Sequence, residues 1–267
     1  SAASLVLGWK DLNRTQAELD AAAEPDSPST ETPMMMAKGE AHFLVSQLSC
    51  RSEDGSIILD QVNLDIASGE RVAIIGRPGS GKSTLLRCLA GIQSPTEGQV
   101  LLNATRLATL DPDARARAIA YKPQVPFLMG PTLQDNLGHQ QSWRAEESFR
   151  LTGLAAALKS GELRRDQPLS AAGGPRLSAG QCQIIALARS LSEDAPAFLL
   201  DEPTAGVDGE TEAKLVDAVD TLTRGKTVIL ATHSLPLLRK MDRIVVLERG
   251  KIIANGPPDR LLQPASA

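Results

Sequence analysis

Aromatic side chains are scarce in this sequence. Phe, Trp and Tyr make up 3% of 267 residues, and Tyr121 is the sole tyrosine. Also missing is any run of about 18 consecutive apolar residues, so no segment is expected to span a bilayer by itself. There is no excess of basic charge. Lys and Arg number 28 against 32 Asp and Glu, for a net charge of −4, which excludes the electrostatic footprint of a nucleic-acid binder. Cysteine is limited to Cys50, Cys88 and Cys182, odd in number and far apart, so reduced thiols are expected rather than a disulfide framework. No basic-plus-apolar leader opens the chain, and the expectation is a protein that is not secreted. What remains is ordinary for a globular protein: 42% apolar and 22% charged residues. The length allows one large domain or two small ones at roughly 150 residues each. A soluble α/β enzyme is the first expectation.

The chain divides by pattern. Over residues 1–20, Leu5, Trp9, Leu12 and Leu19 recur at helical spacing, with Lys10, Asp11, Arg14 and Glu18 on the other face. Two readings stay open: a helix packed on its own domain, or the stub of a longer helical segment. Residues 21–40 lack periodicity and are rich in Pro, Ser, Thr and Glu, which predicts a linker. From Phe43 the pattern turns to strands at 43–48, 57–65 and 71–75, separated by turns such as Glu53-Asp54-Gly55 and Ser68-Gly69. A helix is predicted over 83–91, closed by Gly91. Apolar runs at 197–201, 227–231 and 243–248 then alternate with helical stretches around 180–192 and 209–223. That alternation predicts a parallel sheet covered by helices. Residues from about 132 to 178 show helical periodicity without a strong strand, and a helical insertion is expected there.

Two segments carry chemistry. Gly76-Arg77-Pro78-Gly79-Ser80-Gly81-Lys82-Ser83 fits G-x-x-x-x-G-K-[ST], preceded by the apolar run Val72–Ile75 and followed by a helix that begins Ser83-Thr84. Gly76, Gly79, Ser80 and Gly81 allow backbone N–H groups to turn inward around phosphates, and the helix N-terminus adds a favourable dipole. Lys82 has the reach for the β- and γ-phosphates of ATP, and the Ser83 hydroxyl suits Mg²⁺. The second segment, Ala197-Phe198-Leu199-Leu200-Asp201-Glu202, is a buried-type strand ending in two acids. Next to a phosphate loop, Asp201 is expected on the Mg²⁺ shell. Glu202 is expected to orient or deprotonate the attacking water.

Further motifs fall in a recognisable order: Gln124 in Tyr121-Lys122-Pro123-Gln124, then Leu177-Ser178-Ala179-Gly180-Gln181, Asp201-Glu202, Asp208, and His233 in Ala231-Thr232-His233-Ser234. Taken singly, each has an ordinary structural explanation. Their joint order resembles the nucleotide-binding domain of an ATP-binding cassette (ABC) transporter over about residues 42–262. The resemblance implies a P-loop NTPase fold of the α/β class: a mixed sheet core, an antiparallel β subdomain, and a helical subdomain at about 132–178 of a cassette covering 41–262. It implies that Gln124 touches Mg²⁺ and couples the site to a membrane domain. Ser178, Ala179, Gly180 and Gln181 resemble the signature that closes over ATP held by a second cassette. Asp208 resembles the aspartate at the seam of that dimer, and His233 the switch histidine contacting the γ-phosphate.

Three departures from the family pattern stand out. Ala179 occupies a position where glycine is usual. The loop after Pro203-Thr204 reads Ala205-Gly206-Val207-Asp208, leaving Asp208 in register. Ser52 aligns where the family usually stacks an aromatic on adenine, so permissive base recognition is expected.

The stretch Phe127–Leu137 is similar to exporter cassettes, and residues 232–257 are similar to type I protein-secretion ATPases. In that light the stripe of residues 1–20 resembles the helix descending from the last membrane span of a half-transporter. The loop Ser170-Ala171-Ala172-Gly173-Gly174 lacks the acid that exporters often carry there.

The resulting expectation is the ATP-hydrolysing domain of a bacterial ABC exporter, moving an unfolded polypeptide by type I secretion from the cytoplasmic face of the inner membrane. Its expected partners are a second cassette in a head-to-tail homodimer, the transmembrane domain, a periplasmic adaptor and an outer-membrane channel, with no nucleic acid. Peptides, lipids or drugs are alternative cargoes. A non-transport or regulatory ABC module is the alternative of another class, against which Lys82, Asp201, Glu202 and His233 all stand intact.

Overall fold

The computed structural model describes residues 40–128, 131–137, 142–169 and 177–262. The expected helix over 1–20, the linker (residue 40 apart) and the loop Ser170–Gly174 lie outside the described residues.

Two sheets share one core. The first is antiparallel and four-stranded, with β1 (Phe43–Arg51), β2 (Ile57–Ile66), β4 (Glu97–Leu102) and β5 (Thr105–Arg106) in the order β2-β1-β4-β5. The second contains β3 (Arg71–Ile75), β6 (Ile119–Lys122), β7 (Ala197–Asp201), β8 (Thr227–Ala231), β9 (Arg243–Glu248) and β10 (Lys251–Gly256). Its order is β10-β9-β3-β8-β7-β6; every pairing from β9 to β6 is parallel, and β10 closes one edge antiparallel.

Strand alternation decides what each face of the second sheet meets. Val72 and Ile74 of β3, Leu199 of β7, Ile229 of β8 and Val245 of β9 point into a core shared with the antiparallel sheet. That core also contains Leu85, Leu86 and Leu89 of α1 (Lys82–Leu89). The intervening residues Ala73, Phe198, Leu200, Val228, Leu230 and Ile244 face a second core. There Leu187 and Leu191 of α6 (Ala179–Leu191) and Leu215, Val216 and Val219 of α7 (Gly209–Leu222) cover them. Because both faces are covered, β7 and β8 are buried at every residue and read as continuous apolar runs.

Among the described residues, the segment between β6 and α6 carries three helices joined by turns: α3 (Leu133–Leu137), α4 (Trp143–Leu151) and α5 (Leu154–Ser160). These gather Leu133, Leu137, Phe149 and Leu154 around Ile185 and Ala188 of α6, a third core outside the sheets. Arg144 fastens this layer to the sheet layer. Its guanidinium donates to the carbonyls of Glu193 (2.6 Å) and Leu222, and lies over the Phe198 ring at 5.4 Å.

The elements that the periodicity did not mark are short or strongly polar: β4 to β6, the hairpin partner β10, α2 (Pro112–Ala118), α8 (Leu235–Leu238) and α9 (Pro258–Leu261). β4 begins Glu97-Gly98-Gln99, and α2 reads PDARARA, so neither shows the apolar stripe on which sequence reading depends.

Candidate nucleotide site

The loop between β3 and α1 wraps closely enough to require its glycines. A β-carbon on Gly76 would fall 2.1 Å from the Leu247 carbonyl oxygen. At Gly81 the backbone is left-handed (φ +104°), and a β-carbon would lie 2.8 Å from the Ile58 carbonyl. The β9–β10 turn braces the loop from outside: the Gly250 N–H donates to the Ser80 carbonyl (3.1 Å), and Asp60 N–H donates to that of Gly250 (3.0 Å). Within the loop, Lys82 Nζ donates to the carbonyls of Gly76 (2.7 Å) and Arg77 (3.2 Å). Burial lowers the Lys82 pKa, while Glu202 and Asp201 oppose the shift.

The two acids leave β7 one strand away from the loop rather than beside it, because β8 lies between β3 and β7. That extra strand carries His233 to the acid side of the site, beside Glu202. The backbone of Glu202 turns sharply, with φ +45°, a left-handed conformation costly for a residue with a side chain. Its N–H donates to the Ala231 carbonyl (2.8 Å), and its carboxylate Oε1 stands 3.5 Å from His233 Nε2. Burial pushes the Glu202 carboxyl up, and His233 and Lys82 pull it back.

Asp201 is 1% exposed, and neither of its carboxylate oxygens makes a direct hydrogen bond among the described residues. Burial raises its pKa. The Ser83 hydroxyl lowers it, lying close without full hydrogen-bond geometry, and Lys122 and Lys82 lower it further. Two buried carboxylate oxygens beside a serine hydroxyl form a hard-oxygen donor set, and that chemistry fits Mg²⁺.

These groups line one cavity of about 650 Å³. Of the residues expected from sequence, it brings together Gly79, Gly81, Lys82, Ser83, Thr84, Gln124, Asp201, Glu202 and His233. Gly76 and Ser80 shape the loop from behind. Ser178, Gly180, Gln181 and Asp208 do not line the cavity. Ile58, Thr204, Glu212 and Ser234 line it without having been expected, and no Phe, Tyr or Trp is among the lining residues. Ser234 was legible as a helix cap, since its hydroxyl caps α8. Ile58 carried no sequence signal, because it reads as one more strand residue.

A phosphate loop, two acids and a histidine on the C-terminal ends of parallel strands suit the binding of a nucleoside triphosphate. Comparison with known proteins agrees. The family described as ABC transporter matches residues 59–205, more than half of the chain. The chain belongs to the ABC transporter family. It is an ABC ATPase with the fold of that family.

One curated relative is the mycobactin import ATP-binding/permease protein of Mycolicibacterium thermoresistibile, 34% identical over 258 residues, covering 94% of this chain and 43% of the relative. Another is the mesentericin-Y105 transport/processing ATP-binding protein of Leuconostoc mesenteroides, 37% identical over 213 residues, covering 78% of this chain and 29% of the relative. The chain therefore spans less than half the length of these relatives. Among solved structures, a dimeric ATP-binding cassette in a post-hydrolysis state, bound to ADP and Pi, aligns with a TM-score of 0.64 at 29% identity. That alignment covers 81% of this chain and 98% of the other.

The signature-like segment of this ABC ATPase is held by its own helix. Ser178 caps α6 by accepting the Gln181 N–H (3.1 Å), and the Gln181 side-chain Oε1 in turn accepts from the Ser178 N–H (2.8 Å). The Gln181 amide also donates to Glu162 (3.0 Å), so its side chain is committed within this chain. Gly180 has room for a β-carbon, which would meet the Gly206 carbonyl at 3.6 Å and Val207 at 3.8 Å. Packing within the chain therefore does not dictate glycine there. Asp208 caps α7, accepting from the N–H groups of Glu210 and Thr211 and from the Thr211 hydroxyl. Ser52 lies in the β1–β2 turn, where its hydroxyl bonds to Asp54 and the Ser56 carbonyl.

Proposed function

We propose that the chain is the ATP-hydrolysing cassette of an ABC half-transporter whose membrane domain lies outside the described residues. The observation that carries this reading is the buried Asp201–Glu202 pair facing Lys82, Ser83 and His233 across one cavity. In this reading the backbone N–H groups of the loop and Lys82 bind the triphosphate. Ser83, Asp201 and Gln124 would hold Mg²⁺, which would offset the negative charge of the triphosphate. Glu202, kept near His233, orients the attacking water and takes its proton. Gln124 sits directly before the exposed Val125 and Phe127, which are 78% and 67% exposed and provide apolar contact for a membrane domain.

Two cassettes are proposed to close head to tail. Ser178, the amide of Gly180 and Asp208 would then meet the nucleotide of the partner, which suits their position outside this chain's own cavity. The cassette would work at the cytoplasmic face of a bacterial inner membrane. No described helix is long and apolar enough to cross a membrane.

The relatives' names support a transporter, and they divide over cargo. Polypeptide secretion of the type I kind, with an adaptor and outer channel, draws on the similarity of residues 232–257 and on the relative named for mesentericin-Y105 transport and processing. A lipid cargo draws on a relative named as an ATP-dependent lipid A-core flippase, while another is named for mycobactin import. Steady-state ATP hydrolysis tests the core of the reading. Glu202→Gln should keep ATP affinity while the turnover number falls by about 10²–10⁴-fold. Undiminished turnover would remove Glu202 from its role.

A further inference from the structure

The cavity leaves one buried charge beneath it with no assigned task. Lys122 is the last residue of β6, pairs with Leu200 of β7 across the parallel ladder, and is 0% exposed. Its ammonium makes no ion pair among the described residues. Instead Nζ donates to three main-chain carbonyls: Pro123 at 3.1 Å, Asp201 at 3.1 Å and Glu202 at 3.3 Å. An ammonium has three N–H donors, and these acceptors use all of them. Burying such a charge is costly, and an apolar residue of similar volume usually serves the fold as well or better. A role in filling space therefore does not account for a lysine here.

The choice of acceptors is informative. Pro123 immediately precedes Gln124, while Asp201 and Glu202 are the two acids of the site. One cation thus ties the backbone entering the Gln124 loop to the backbone that carries both carboxylates. The third bond falls on Glu202, the residue held at φ +45°. A strained main chain keeps its side chain aimed only if its surroundings over-determine it. The Glu202 N–H is fixed by the Ala231 carbonyl at 2.8 Å, and its carbonyl accepts from both Lys122 and the Ala205 N–H, each at 3.3 Å. The same loop is braced from its far side, where the Gln183 side-chain amide donates to the Gln124 carbonyl at 3.3 Å. A shift of the Gln124 loop is therefore felt at Glu202 through a single side chain.

We propose that Lys122 is a positioning residue for hydrolysis: its ammonium staples the start of the Gln124 loop to the Asp201–Glu202 main chain and so holds the Glu202 carboxylate in its working orientation. This rests on the reading of Glu202 given above.

The test uses the chain of 267 residues with Lys122→Met, which keeps length and volume and removes the donors. Thermal unfolding, ATP affinity by a fluorescent ATP analogue, and steady-state kcat and KM are measured alongside Glu202→Gln and the double variant. The expected result is a folded protein with unchanged ATP affinity and KM, a kcat lower by about tenfold to a hundredfold, and little further loss in the double variant. Wild-type kcat in Lys122→Met overturns the staple, as does a parallel loss of ATP affinity and melting temperature with kcat. Should that variant fail to fold, Lys122→Gln carries the same comparison; if neither folds, Lys122 belongs to the fold and the proposal falls. Glu202→Gln turning over at the wild-type rate would instead overturn the reading of Glu202, which separates the two failures.

Discussion

Residue identity at Ser52 has a measurable consequence for base selection. Its hydroxyl is spent within the β1–β2 turn, Ile58 is the side chain of that hairpin that reaches the cavity, and no Phe, Tyr or Trp lines it. Stacking a base on an aromatic is worth about 1–3 kcal/mol in nucleic-acid sites. ATP and GTP should therefore compete with affinities within about tenfold of each other. Ser52→Tyr should tighten both nucleotides, as measured by competition binding; strong ATP preference in the natural chain would contradict this. At this scale the sequence was highly informative for the loop and the acids, because their chemistry requires particular residue types in a particular order. It was silent on Ile58 and Lys122, whose importance depends on what surrounds them. A charged residue closing the apolar strand Ile119-Ala120-Tyr121-Lys122 was nevertheless a signal available to a closer reading.

Among the elements, α6 and α7 show how structural and functional readings of one motif coexist. Ser178 and Asp208 are both helix caps in this chain, an ordinary explanation for each, and neither cap prevents contact with a second protomer. Ser178→Ala removes the acceptor for the Gln181 N–H and should destabilise the chain by about 1 kcal/mol in urea unfolding. For Asp208, hydrogen bonds from the Thr211 backbone and hydroxyl hold the carboxyl below 3.8, its unfolded value. The charged cap therefore contributes stability above pH 3.8, and the contribution is lost as pH falls through the lower folded value. Asp208→Asn should unfold at a lower temperature than the natural chain above pH 3.8, and the gap should narrow below it. Thermal melts on both sides of that pH check the sign. Long apolar runs made β3, β7, β8 and β9 legible, since a strand buried on both faces has little choice of residue. The polar elements β4, β5 and α2 were not legible, because their place comes from pairing and capping rather than from an apolar stripe.

Among the described residues, the site gathers the loop, acids and histidine but not the signature-like segment. The cavity is lined by loop, acids and histidine, whereas Ser178, Gly180 and Asp208 lie outside it. Head-to-tail pairing predicts that Glu202→Gln with ATP forms a dimer in sedimentation, and that Ser178→Arg, which blocks the signature edge, abolishes it without weakening ATP binding to the monomer. A dimer that forms equally well without nucleotide would count against this arrangement.

The order of motifs along the chain determined the family, the fold class and the identity of the phosphate loop and acid pair, because a loop of this kind combines glycines, a lysine and a helix start in a fixed order. Only the tertiary structure decided that β8 lies between β3 and β7 and brings His233 beside Glu202, since strand order is set by packing and not by spacing. It also decided that the Gln181 side chain is spent on its own helix and that Lys122 lies beneath the two carboxylates. Both depend on contacts between residues far apart in sequence, which only the assembled core can establish.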